Sequence, residues 1–181
     1  MVYSYDYSFV DFPGKYAIVL FFTGCNLRCD FCYNRELLFA EPRFTYNEVV
    51  KSFEEQVEMM GQGNVGIVFS GGEPTVSPYF HTYTNLKGPM ALHTNGLFVP
   101  CNYDQFQSVV ISLKPRHAVT WLMSYEKYLK QIQLAIDYYQ MANRLEIRWV
   151  DNIPNVEQPD EALSHLKGEF LFSKVDYIKE E

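Results

Sequence analysis

The chain has 181 residues, 48% of them hydrophobic and 20% charged, which predicts one folded domain over residues 1–181 and argues against disorder. The net charge of −7 argues against broad nucleic-acid binding through phosphate contacts, and no apolar run is long enough to span a membrane. Because the N-terminus lacks the basic region and apolar core of a signal peptide, we expect a cytoplasmic protein whose thiols are reduced.

Strand and helix signals alternate along the chain. Short apolar runs predict five strands, at Tyr16–Phe22, Asn64–Ser70, Met90–Gly96, Ser108–Lys114 and Arg144–Val150. Helices are predicted between Thr45 and Gly61, from Ser77 to Leu86, from Ser124 to about Ala142, and from Asp160 to Lys167. For the first of these, Thr45 and Glu48 form a capping box and Gly61 is a suitable C-terminal stop.

This repeating β/α order favours a parallel sheet with right-handed crossovers. The strands are continuous apolar runs, as expected where both faces of a sheet are buried. About five or six β/α units fit the length, whereas a closed barrel has eight. We therefore predict an α/β fold, a partial parallel β/α barrel of about five to six units.

Distinctive polar segments follow the first two predicted strands and end the other three. In chain order they are a cysteine cluster, "GGEPT", "HTNG", "LKP" and "RWVDN". Because the carboxyl ends of parallel strands meet at one edge of a sheet, and active sites of such folds lie there, these segments predict one shared site.

The cysteine cluster has the spacing Cys25-x3-Cys29-x2-Cys32 and contains three of the four cysteines. Among reduced thiols such a cluster indicates metal binding or catalysis before a disulfide, which would also leave one thiol over. Structural zinc needs four ligands, and ferredoxin clusters use four cysteines in other spacings. The possible fourth zinc ligands are Cys101, His81, His93, His117 and His165, none of them in a paired zinc spacing. Three thiolates fit a [4Fe–4S] cluster that keeps one iron open for another ligand, and Cys101 is expected to be an ordinary thiol.

The cysteine triplet, with aromatic Phe31 before its last member, resembles the signature of the radical S-adenosylmethionine (radical SAM) enzymes. One β/α unit later, "SGGEPT" (Ser70–Thr75) is similar to the GGEP motif of that family, although alone it could be a tight turn. The resemblance implies a [4Fe–4S] cluster held by Cys25, Cys29 and Cys32. It also implies S-adenosylmethionine as the cofactor, cleaved reductively to a 5′-deoxyadenosyl radical.

The same resemblance assigns the cofactor-binding residues. Gly71, Gly72, Glu73 and Pro74 would hold the methionine ammonium, Tyr33 would contact adenine, Asn95 would contact the ribose, and Ser112, Lys114 and Arg148 would handle the methionine carboxylate.

The segment Phe9–Leu37, "FVDFPGKYAIVLFFTGCNLRCDFCYNREL", is similar to the opening of glycyl-radical enzyme activating enzymes. It is most like the activating protein of the anaerobic (class III) ribonucleoside-triphosphate reductase, with the pyruvate formate-lyase activator a close relative. This implies a large glycyl-radical reductase as partner and flavodoxin or a similar low-potential reductant. Two residues depart from the pyruvate formate-lyase activator: His93 and Ser112 replace acids that help to hold a monovalent cation. The tail "FLFSKVDYIKEE" is short for a complete sixth unit.

Two other functions stay open. One is a small-molecule radical SAM enzyme such as 7-carboxy-7-deazaguanine synthase, whose family opens with a segment like L-Q-G-E-G rather than V-D-F-P-G. The other is a non-catalytic iron–sulfur electron-transfer protein, which has no need of a GGEP motif to bind a methionine ammonium.

Overall fold

In the computed structural model, which describes residues 1–100, 105–153 and 156–176, seven strands form one sheet in chain order. The strands are β1 (Ser4–Ser8), β2 (Tyr16–Phe22), β3 (Val65–Gly71), β4 (Met90–Thr94), β5 (Phe106–Leu113), β6 (Arg144–Asp151) and β7 (Leu171–Asp176). Strand β1 is antiparallel to β2, and the five remaining pairings are parallel. Within the described ranges β1 and β7 do not pair, so the sheet is not closed, and the predicted α/β fold with a partial parallel barrel is confirmed.

The helices are α1 (Tyr46–Met60), α2 (Phe80–Tyr83), α3 (Arg116–Val119), α4 (Tyr125–Tyr139) and α5 (Asp160–Ser164), with 3₁₀ turns at Arg35–Leu38 and Pro74–Val76. All five predicted strands are present, and their ends differ from the prediction by no more than two residues. The predicted helix from Ser77 to Leu86 is reduced to the four residues of α2, which ends at its C-cap Thr84.

Local chemistry explains where α1 begins and ends. The Thr45 hydroxyl accepts a hydrogen bond from the Glu48 amide, and the Glu48 carboxylate accepts one from the Thr45 amide at 2.7 Å. This capping box satisfies two amides at the helix start. At the other end Gly61 has φ of +89°, which glycine tolerates better than other residues.

The two faces of the sheet have different neighbours. Residues such as Leu20 and Phe69 face the helices in one large buried cluster. The other face, here called the inner face, holds a smaller cluster around Val19, Val68 and Phe12. The Phe12 ring occupies the space over Gly66, where a Cβ would lie 2.4 Å from it. Phe12 therefore fills the inner face near the amino ends of the strands and leaves their carboxyl ends open for a site.

The two edge strands, β1 and β7, were not among the predicted strands. Most residues of β7 are exposed on both faces, and every residue of β1 is either partly buried or exposed. No helix in the described part of the chain has the length and hydrophobicity needed to cross a membrane.

Candidate active site

A cavity of about 260 Å³ opens where strands β2 to β7 end. Its lining includes eleven of the twelve predicted site residues: Cys25, Cys29, Cys32, Tyr33, Gly71, Gly72, Glu73, Asn95, Ser112, Lys114 and Arg148. Pro74 is the exception, since it lies buried behind the lining as the first residue of a 3₁₀ turn. The convergence that the strand ends predict is therefore present in the structure.

The cysteines lie on the loop that follows β2. Leu27 and Phe31 are buried in the main core, and this anchors the loop between the cysteines. All three thiols line the cavity, and all three are free of disulfide bonds. Burial raises the pKa of the Cys25 thiol to about 11 and also raises that of Cys29. Deprotonation of these thiols therefore has to be coupled to binding of a positively charged group such as a metal.

The two motif glycines bring the end of β3 against the start of the cysteine loop. A Cβ on Gly72 would lie 2.0 Å from the Gly24 carbonyl oxygen. The Gly72 amide donates to the Phe22 carbonyl at 2.9 Å, and the Glu73 amide donates to the Gly24 carbonyl at 2.8 Å. The sequence predicts that these glycines allow a ligand to approach the backbone, whereas the approach seen here is between two segments of the chain.

Glu73 is buried, and its carboxylate is hydrogen-bonded within the protein. Its Oε1 accepts hydrogen bonds from the Thr75 and Thr94 hydroxyls at 2.6 and 2.7 Å, and its Oε2 accepts one from the backbone amide of Asn95 at 2.6 Å. Burial raises the pKa of Glu73, and these hydrogen bonds oppose that effect. The carboxylate thus joins the end of β3 to the end of β4.

Asn95 faces the cysteine loop. Its Nδ2 lies 2.6 Å from Asn26 Oδ1 and 3.9 Å from the sulfur of Cys25, and its Oδ1 accepts from the Leu97 amide at 3.0 Å. These contacts do not test the predicted ribose contact, but they show a direct link between the strand β4 end and a cysteine.

Arg148 lines the cavity from β6 and is ion-paired with Glu146 of the same strand. Its Nε and Nη2 donate to Glu146 Oε1 at 3.0 and 2.9 Å. Ser112 is its register partner on β5, on the same face of the sheet. His93 lines the same cavity, where burial and then the positive charge of Arg148 lower its pKa. His93 and Ser112 are the two positions that depart from the cation-holding acids of the pyruvate formate-lyase activator, and the structure places the Arg148 cation close to both.

The two remaining predicted residues lie at the rim. Lys114 follows β5, and its backbone is held by α4: its amide donates to Tyr128 Oη at 2.8 Å and its carbonyl accepts from Tyr125 Oη at 3.1 Å. Tyr33 is half exposed, and its hydroxyl donates to the Asp176 carbonyl at the end of β7 at 2.8 Å.

Residues 19–138 match the family model described as the radical SAM superfamily. The chain belongs to the radical SAM superfamily. The match covers β2 to α4, and therefore both the cysteine loop and the segment after β3.

Two curated relatives of this radical SAM chain are activating enzymes by name. A glycyl-radical enzyme activating enzyme of Methanocaldococcus jannaschii is 25% identical over 145 residues, which are 77% of this chain and 57% of the relative. The pyruvate formate-lyase-activating enzyme of Clostridium pasteurianum is 34% identical over 73 residues, 39% of this chain and 30% of the relative. The chain thus spans little more than half of the first relative and less than a third of the second.

A solved structure of anSMEcpe with bound AdoMet has the same fold over most of the chain. The TM-score is 0.56 at 20% identity, and the superposition covers 86% of this chain and 49% of the other. At this identity the likeness shows the fold.

The donor set of the radical SAM chain fits an iron–sulfur cluster better than a single ion. Across residues 1–100, 105–153 and 156–176, no group of three or more His, Cys, Asp or Glu side chains could hold one metal ion. In a [4Fe–4S] cluster each thiolate binds a different iron, so the sulfurs need not meet at one point. His117, one possible zinc ligand, instead pairs with Asp30 at 3.0 Å, and Cys101 lies outside the described residues.

Three residues at the site were missed by the sequence reasoning: Asn26, Thr94 and Glu146. Asn26 and Thr94 stand inside the motifs, next to Cys25 and Asn95, and this position in the sequence could have identified them as site residues. Glu146 stands two residues before Arg148, the period that places two side chains on one face of a strand.

Proposed function

We propose that this radical SAM chain reductively cleaves S-adenosylmethionine at a [4Fe–4S] cluster. The observation that carries the proposal is that three free cysteines and the Gly71–Glu73 segment line the same cavity. When bound, the cluster supplies one electron to the sulfonium, which yields methionine and a 5′-deoxyadenosyl radical able to take a hydrogen atom from a substrate.

In this proposal the residues of the cavity bind and orient the two cofactors. Cys25, Cys29 and Cys32 would be the three protein ligands, which would leave one iron of the cluster without a protein ligand and open to the methionine amino and carboxylate groups. Lys114 and Arg148 are the cations of the lining and are suited to a carboxylate. Buried side chains such as Leu27 and Phe31 beside the thiols limit the access of water, which protects a reactive radical.

The proposed substrate is a glycine residue of a large glycyl-radical enzyme, and the best candidate is an anaerobic ribonucleotide reductase. The names of the two relatives and the segment Phe9–Leu37 support an activating enzyme. Loss of a hydrogen atom from the glycine Cα to the 5′-deoxyadenosyl radical would give 5′-deoxyadenosine and a glycyl radical. A flavodoxin or a similar low-potential protein would supply the electron.

Anaerobic reconstitution with iron and sulfide, followed by dithionite and S-adenosylmethionine, tests the first step. We expect 5′-deoxyadenosine in the product mixture, detected by chromatography and mass spectrometry. Reconstituted protein that holds a cluster and forms no 5′-deoxyadenosine would contradict the enzyme proposal and favour an electron-transfer protein.

The second step is tested by adding a candidate glycyl-radical reductase to the same mixture. We expect the EPR doublet of a glycyl radical on the reductase, with one 5′-deoxyadenosine formed for each radical. 5′-Deoxyadenosine without a doublet on any glycyl-radical enzyme would retain the radical SAM activity and overturn the proposed target.

A further inference from the structure

We propose that Glu73 and Asn95 are positioning residues for the cluster. Glu73 fixes the backbone of Asn95, and the Nδ2 of the Asn95 side chain donates a hydrogen bond to the sulfur of Cys25. The inference rests on the proposed function, because it concerns the cluster that Cys25 would hold. It gives Glu73 a role that does not depend on contact with S-adenosylmethionine.

The Glu73 carboxylate accepts its hydrogen bonds from within the protein. Its Oε1 accepts three hydrogen bonds, from the Thr75 amide at 3.2 Å and from the hydroxyls of Thr75 and Thr94. Its Oε2 accepts a hydrogen bond from the backbone amide of Asn95 at 2.6 Å. A carboxylate has about four good acceptor sites, so this side chain is largely satisfied without any ligand. What it does in the folded chain is to hold the backbone at Asn95.

One hydrogen bond sets the orientation of the Asn95 side chain. Its Oδ1 accepts from the Leu97 amide at 3.0 Å, and this fixes which end of the side-chain amide faces the cysteine loop. The other end is the Nδ2 donor, with two N–H bonds. One points to Asn26 Oδ1 at 2.6 Å, and the second is available for the sulfur of Cys25 at 3.9 Å.

The sulfur of Cys25 has a second donor besides Asn95. It also accepts from the Leu27 amide at 3.4 Å, so two N–H groups converge on this one sulfur. Hydrogen bonds to a ligating sulfur stabilise added negative charge and so favour the reduced cluster. Asn95 is therefore expected to make the cluster easier to reduce.

The decisive measurement is the reduction potential of the reconstituted cluster without S-adenosylmethionine, by EPR-monitored redox titration. For Asn95→Ala we expect the ratio of reduced to oxidised cluster at a fixed applied potential to fall about three- to tenfold. Glu73→Gln is expected to shift the ratio in the same direction and by less, because it acts through Asn95. In the double variant the two effects should not add, since both residues act on one hydrogen bond.

Two further variants complete the design. Asn95→Asp keeps the size of the side chain but replaces the donor by a negative charge, so it should lower the ratio more than alanine does. Asn85→Ala is the matched control: Asn85 is exposed, and its side chain donates to the His81 carbonyl away from the cavity. The cluster of this variant should have the same reduction potential as the cluster of the wild type.

The outcomes separate the two proposals. Wild-type potentials in Asn95→Asp and Glu73→Gln, with iron content unchanged, would overturn this inference and leave the proposed function intact. A Glu73→Gln variant with weaker S-adenosylmethionine binding but an unchanged potential would also overturn it, in favour of a direct ligand contact. Wild-type protein that takes up no cluster would overturn the proposed function, and this inference with it.

Discussion

Arg148 reaches the cavity from β6 while Glu146, two residues earlier on the same strand, accepts both its Nε and its Nη2. The Glu146 carboxylate also accepts from Arg144 at 2.9 Å and from the Ser173 hydroxyl of β7 at 2.6 Å. One buried carboxylate thus orients a cavity cation and ties the edge strand β7 to β6. The hydrogen bond from Ser173 to Glu146 therefore supplements the backbone pairing of β7, an edge strand with mostly exposed residues.

The first prediction concerns Glu146 and pH. Burial raises the pKa of Glu146, but the hydrogen bonds from Ser173 and Arg144 and the charge of Arg148 outweigh it and lower the pKa to about 2. Because the folded pKa lies below the unfolded value, the ionised carboxylate stabilises the fold above about pH 4.5. This contribution is lost as the pH falls toward 2. At pH 7 we expect Glu146→Gln to lower the free energy of unfolding by about 1–2 kcal/mol, since the arginine partners are partly exposed.

Urea unfolding of the wild type and of Glu146→Gln between pH 2.5 and 7 measures this difference. It should be constant above about pH 5 and shrink below it. Glu58→Gln, at an exposed position of α1, is the control and should change the stability little at any pH. A difference that grew toward low pH would contradict the assignment.

The second prediction concerns Gly72. An alanine Cβ would lie 2.0 Å from the Gly24 carbonyl oxygen, and both atoms belong to backbone segments held by hydrogen bonds. We therefore expect Gly72→Ala to cost more than about 3 kcal/mol or to prevent folding. Thermal unfolding followed by circular dichroism provides the measurement.

Gly14→Ala is the comparison for Gly72→Ala. Gly14 has φ of +77°, and an alanine Cβ there would meet no heavy atom within 4 Å, so its substitution costs only the left-handed backbone strain of about 1–2 kcal/mol. If the two variants were equally stable, the contact between the β3 end and the cysteine loop would not be as tight as described.

The parts of the fold that burial defines could be predicted from the sequence, and the parts that pairing defines could not. Strand β2 is a continuous apolar run because both of its faces are covered, and its ends match the prediction. Strand β7 has mostly exposed residues, so its composition does not distinguish it from a loop. It is a strand because its backbone pairs with β6.

The same distinction holds at the site. Motif spacing after each strand predicted which residues would meet, because the carboxyl ends of parallel strands share one edge. It could not predict that Glu73 bonds Asn95, since that depends on how far β3 and β4 extend relative to each other. Nor could it predict that Arg148 is already ion-paired, which depends on the side-chain conformations of β6.

The third prediction concerns the support of Lys114. Tyr128 is fully buried, and its Oη accepts the Lys114 amide at 2.8 Å. Tyr128→Phe removes that acceptor and leaves a partly buried amide unpaired, which is expected to cost about 1–3 kcal/mol of stability. Tyr125→Phe removes only a donor to the Lys114 carbonyl and should cost less, about 0.5–1.5 kcal/mol.

Both tyrosine variants are measured by urea unfolding, and S-adenosylmethionine binding to the reconstituted proteins gives a second reading. If Lys114 contacts the cofactor, the variant that releases its backbone should also bind more weakly. Equal stability of Tyr128→Phe and wild type would mean that the amide finds another acceptor.

The last prediction separates the cysteines by role. Cys29 lines the cavity, and the proposed function makes it one of three cluster ligands, so Cys29→Ala should lose the cluster absorbance and the cleavage of S-adenosylmethionine together. The variant should still fold, because alanine removes a single sulfur from a position that is 9% exposed. Cys101→Ala is the matched control: it should keep both the absorbance and the cleavage, since the proposal gives Cys101 no ligand role. Iron content, absorbance and 5′-deoxyadenosine are measured on both variants after the same reconstitution. An intact cluster in Cys29→Ala, or a lost one in Cys101→Ala, would mean that the ligand set has been assigned to the wrong thiols.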